Sequence, residues 1–202
     1  MRDESRISPS TMAIGPNRLL VLLVLVVVIP AILPIVLQTY GGSQSAPDRV
    51  RRYESHLKEV VPGADRFVSV DGLYPHFRGL VGGSGPNGGA VVGYAFFTTD
   101  LGGRSRGYAG VMKILVGLDA AGTLTGVKAV EHHEPYGYRS IDLPSYRMQF
   151  PGKRVVEPFK VGGDIDAVTG ATITVVAATS AIRVATRRMA RELITRRATG
   201  PQ

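Results

Sequence analysis

Between Leu19 and Leu37 the chain reads LLVLLVLVVVIPAILPIVL, a run of 19 residues without a charge. As a helix rising about 1.5 Å per residue it spans about 28 Å, enough to cross the hydrocarbon of a bilayer. The run predicts a transmembrane anchor over 19–37. A cleaved signal peptide is the competing reading, but its apolar region is only about 7–15 residues long. Pro30 and Pro34 are tolerated in a membrane helix where neighbouring groups satisfy the freed carbonyls. Arg18 abuts the run on one side, whereas the next charge on the other side is Asp48. That asymmetry favours residues 1–18 as a cytoplasmic tail, although Arg49, Arg51 and Arg52 follow closely. Residues 38–47, QTYGGSQSAP, have linker composition, and 48–202 then form one domain on the periplasmic or extracellular side of a single-pass membrane protein.

That domain reads as α+β. Val50, Tyr53, Leu57 and Val60/Val61 recur at helical spacing and stop at Pro62-Gly63, which predicts an amphipathic helix over 48–61. Residues 90–101 and 108–135 are rich in β-branched and aromatic residues, with turn chemistry at 119–123. Strands are expected at 111–117 and 124–131, paired in an antiparallel sheet. GGSGPNGG at 82–89 resembles a phosphate loop in composition alone and reads as a strand connection. Residues 135–160 show little periodicity and read as an irregular cover. From Thr172 to Thr195 there is neither Gly nor Pro, which predicts a long C-terminal helix.

A net charge of +8 would suit nucleic acid, an anionic membrane or a phosphorylated ligand. The arginines cluster on the last helix, however, where solvated faces are the simpler reading, and a domain outside the cytoplasm meets no nucleic acid. The chain has no cysteine. Disulfides, thiolate zinc and cysteine-bound iron–sulfur clusters are thereby excluded as products of this sequence. Two adjacent histidines, His132 and His133, lack a convincing third ligand, so no metal site is expected.

At 164–174 the sequence is DIDAVTGATIT, directly before the long helix. A helix N-terminus offers unpaired amides and the positive end of the macrodipole, a setting that favours a phosphate group. Gly170 permits close approach of a bulky group, and Ala171 keeps the flank small. Ser and Thr are also common N-caps, so these residues alone leave Thr169 or Thr172 as a structural cap.

The stretch DAVTGAT at 166–172 resembles the flavinylation motif Asp-x-x-Ser/Thr-Gly-Ala-Thr of the FMN-binding domain family. That family occurs in subunits of Rnf complexes and sodium-translocating NADH:quinone reductases. The stretches VPGADRF, VVGYAFFTTDL and GYAGVMKILVGLDAAGTLTGVKAVEHHEP are similar, in order, to the membrane-anchored FMN-binding domain of NosR/NirI-type proteins. Unlike those proteins, this sequence carries no cysteine-rich region, and Tyr136-Gly137-Tyr138-Arg139-Ser140 replaces a more apolar continuation.

The resemblance implies FMN held covalently by a phosphoester to Thr172, with Asp166, Thr169, Gly170 and Ala171 recognised by a separate flavin transferase that uses FAD and a divalent metal. It places Glu134, with His132 or His133, near the flavin, where charge tunes its electronics, and leaves Tyr108 either stacking on the ring or packing in the sheet. The implied function is electron relay between membrane or extracytoplasmic redox proteins, with no catalytic residues of its own. The alternative is a non-redox sensory or scaffold domain with a structural flavin or none.

Overall fold

In a computed structural model the described residues are 46–85, 88–103, 106–135 and 140–199, with side chains to 194. The expected tail, the anchor at 19–37 and the linker up to residue 45 lie outside the described residues. Among those described, no helix is long and apolar enough to cross a membrane.

Helix α1 spans Ala46–Val60. It starts two residues before the expected position because Pro47 is well tolerated in a first helical turn, where its missing N–H has no acceptor to lose. Five strands follow: β1 (Arg66–Val70), β2 (His76–Val81), β3 (Ala90–Phe97), β4 (Lys113–Asp119) and β5 (Leu124–Glu131). They form an antiparallel meander in the order β1-β2-β3-β4-β5. At the β4–β5 turn, Asp119 Oδ1 accepts the amide protons of Ala121 and Thr123, both at 2.8 Å. A short helix α2 (Pro144–Arg147) lies within the expected irregular segment, and α3 runs from Thr172 to Thr199.

Alternation along the strands splits the core in two. Phe77, Ala95, Phe97 and Leu115 face one side of the sheet and pack with Tyr53, Leu57 and Val60 of α1. Their neighbours Phe96, Ile114 and Val116 face the other, where Val175, Ala178, Ile182, Ala185 and Met189 of α3 join them. Those five positions recur at three- and four-residue steps, so one stripe of the helix is buried. Full burial of Val175, Ile182 or Met189 stabilises by about 1.5–3 kcal/mol each.

The segment before α3 is less irregular than its sequence suggests. Tyr146 is buried and its hydroxyl meets Thr179 Oγ1 of α3 at 2.9 Å; burial pushes its phenol well above the usual range. Phe150 stacks on Phe159 with ring centroids 6.2 Å apart. The arginines of α3 also do more than face solvent. Arg187 donates to the carbonyl of Glu157 at 3.0 Å and Arg188 to that of Leu101 at 3.1 Å, so both tie loops to the helix.

Candidate functional site

Among the described residues, the N-cap position of α3 is held by a residue without a side-chain oxygen. The carbonyl of Ala171 accepts the amide of Val175 at 3.0 Å, which makes Ala171 the N-cap and Thr172 the first helical residue. Neither Thr169 nor Thr172 therefore holds the capping position that residue preferences alone leave open to them. The amides of Thr172, Ile173 and Thr174 have no acceptor within the helix, and alanine offers no oxygen to replace one. Thr172 is exposed while Ala171 is buried. Gly170 turns the chain into the helix at φ +80°, and the space where a Cβ would stand is open. Thr169 and Asp166 are exposed on the approach, and the Asp166 amide donates to Gln149 Oε1 at 2.6 Å.

Opposite this turn stands the segment joining β3 to β4. Arg106 and Val111 form a backbone bridge, and the amide of Gly107 donates to the carbonyl of Gly110 at 2.8 Å, so residues 107–110 make a tight turn. Glu134, three residues beyond β5, reaches into it. Its Oε2 accepts the Tyr108 amide at 3.0 Å and the Thr174 hydroxyl at 2.6 Å, and its Oε1 accepts the Ala109 amide at 2.8 Å. Glu134 is 5% exposed and Thr174 4%. Burial alone would raise the Glu134 carboxyl, but the donors from Thr174, Ala109 and Tyr108 outweigh it and hold the group below the usual carboxylate range. Gly107 leaves room for that carboxylate, because a Cβ there would collide with Oε1.

Two hollows meet at Thr172. Tyr108, Gly170 and residues 171–174 border one of about 400 Å³. Gly102, Gly103, Arg106, Val176 and Ser180 line the other, about 580 Å³, together with Thr172 and Ile173. Their linings include exposed apolar side chains: Tyr108, Ile173 and Val176. Tyr108 is 72% exposed, so it does not pack within the sheet.

The histidines lie beyond the end of β5 and differ in exposure. His133 is exposed, whereas His132 is half-buried and its Nε2 lies 3.0 Å from Asp142 Oδ2. Glu134 is buried, and its oxygens are occupied by the 107–110 turn and α3. Arg106, Gly107 and Thr174 escape sequence reasoning as site residues. The Thr-Ile-Thr spacing after Ala171 is the one signal for Thr174; Arg106 sits among loop residues with no periodicity to mark it.

Residues 107–187, which carry the turn, β4, β5, Glu134 and the first half of α3, match the model of a family described as FMN-binding domain. The resemblance to FMN-binding domains is thus a finding over these residues. Among curated proteins, the chain is 33% identical over 108 residues to a subunit of the Na(+)-translocating ferredoxin:NAD(+) oxidoreductase complex of Acetobacterium woodii, covering 50% of each chain. It is 37% identical over 87 residues to a subunit of the ion-translocating oxidoreductase complex of Escherichia coli K12, covering 38% of this chain and 42% of that one. The corresponding subunit from Haemophilus influenzae Rd matches at 31% over 125 residues, 57% of this chain and 54% of the relative. The chain thus spans about half the length of the curated relatives it matches.

Proposed function

We propose that this chain is a membrane-anchored, extracytoplasmic flavoprotein that carries FMN through a phosphoester on Thr172 and relays electrons between redox proteins. The observation that carries the reading is the exposed Thr172 hydroxyl at an uncapped helix start, inside a stretch that matches the FMN-binding domain family. The residues fit the group. First-turn amides and the positive helix end favour the phosphodiester anion, and Arg106 beside the same groove adds a positive charge. The open space over Gly170 lets a modifying enzyme reach the hydroxyl. Ile173, Val176 and Tyr108 offer apolar surface to a planar ring.

When bound, FMN supplies reversible one- and two-electron transfer. The protein's own part is to hold the phosphate end, exclude water from the apolar rims and fix the charge nearby. Attachment itself is assigned to a flavin transferase acting on FAD with a divalent metal: the Thr172 Oγ1–P bond forms, the pyrophosphate bond breaks, AMP leaves and the hydroxyl proton is released. The redox partners are membrane or extracytoplasmic proteins, in keeping with relatives named as subunits of oxidoreductase complexes.

Coexpression with a flavin transferase, followed by fluorescence of the denatured band, tests the attachment. A bright wild-type band and a dark Thr172→Ala band are expected. A dark wild type, or a bright Thr172→Ala, contradicts it. A loaded protein whose flavin shows no redox transition supports the sensory or scaffold role instead.

A further inference from the structure

We propose that Glu134 and Thr174 form a positioning clamp that locks the 107–110 turn against the first turn of α3, and so sets the shape and the charge of the hollow beside Thr172. This rests on the reading that the flavin is held on Thr172.

The contacts are specific to that junction. Each hydrogen bond found for the Glu134 carboxylate goes either to the turn that carries Tyr108 or to the helical residue two positions after Thr172. Those elements lie 25 or 26 residues before Glu134 and 40 after it. A group bonded to both holds the turn of Tyr108 directly to the helix start, beyond what Arg188 and Leu101 do further along the same connection. Gly107 gives up its Cβ to that arrangement. The residue whose amide the carboxylate holds, Tyr108, stands exposed on the rim that Thr172 shares, so the clamp sets where that ring's backbone lies relative to Thr172.

The charge matters as well as the shape. Buried charge is weakly screened, and Glu134 sits just behind the hollow with three donors that keep it ionised at neutral pH. A fixed negative charge beside a redox group opposes the arrival of electrons. Glu134 therefore acts through Thr174 and the turn amides on geometry, and through its field on potential.

The test uses the full chain coexpressed with a flavin transferase, as wild type, Thr174→Val, Thr174→Ser and Glu134→Gln. Its readouts are visible circular dichroism and the midpoint potential of the flavin. In a Thr172→Ala background without flavin, amide hydrogen exchange at Tyr108 and Ala109 reads the clamp alone. The clamp predicts several-fold faster exchange at both amides in Thr174→Val, restoration by Thr174→Ser, an altered flavin dichroism in Thr174→Val, and a higher potential in Glu134→Gln. Unchanged exchange in Thr174→Val and Glu134→Gln overturns the contacts. Faster exchange with wild-type dichroism and potential overturns the positioning role. A wild-type chain that takes up no flavin sinks the attachment reading, a result that the exchange measurement keeps separate from a failure of the clamp.

Discussion

Helix α3 is two structures in one. From Ala178 to Met189 it is finished: Ala178, Ile182, Ala185 and Met189 are buried against the sheet, Thr179 holds Tyr146, and Arg187 and Arg188 bind loop carbonyls. From Ala171 to Val176 it is unfinished: the N-cap is an alanine, Thr172 is exposed, and Ile173 and Val176 show 61% and 47% of their surface to solvent. The body supplies the stability that lets the first turn remain open. Unspent hydrogen-bonding groups and exposed apolar surface at one end of a well-anchored element are what a bound cofactor needs.

Changes in the body are therefore expected to destabilise the domain, and changes at the exposed positions Thr172, Ile173 and Val176 to spare it. Ile182→Ala removes a fully buried side chain and should cost about 3 kcal/mol in chemical denaturation. A loss below about 1 kcal/mol would mean that the helix body is not the anchor. Glu134→Ala strands the Tyr108 and Ala109 amides and the Thr174 hydroxyl, at about 2–3 kcal/mol.

The same carboxylate carries a pH dependence. Its folded value is depressed, so its contribution is complete above the ordinary carboxylate range and disappears as pH falls through the folded value. Stability measured from neutral pH downward should fall less steeply in Glu134→Gln than in wild type.

Tyr146→Phe loses one hydrogen bond to Thr179 and should cost about 1 kcal/mol. Thr172→Ala should change stability by less than about 0.5 kcal/mol, since Thr172 is exposed and caps nothing. A large loss there would return Thr172 to a structural role and erase the contrast between the two parts of the helix.

The same contrast marks what the sequence could disclose. The strand at 124–131, the long helix from Thr172 and the turn at Asp119 follow from local composition and turn chemistry, and the structure has them where expected. The buried stripe of α3 was not legible, since Ile173 and Val176 are exposed while Val175 and Ala178 are buried. Strands β1 and β2 were not legible, because RFVSV and HFRGLV are short and mix exposed with buried positions. At the site, the motif from Asp166 to Thr172 is contiguous and can be read directly. The partners of Glu134 cannot, since Thr174 lies 40 residues away and only the fold brings them together. Arg106 likewise gains meaning only when its loop borders the groove at Thr172.

The most direct measurement is a mass spectrum of the full chain after coexpression with a flavin transferase, with fragmentation to locate any added group. The account predicts a gain of one FMN less one water, carried by the peptide containing Thr172 and lost in Thr172→Ala. No gain, or a flavin located on Thr169, Thr174 or any other residue, contradicts it.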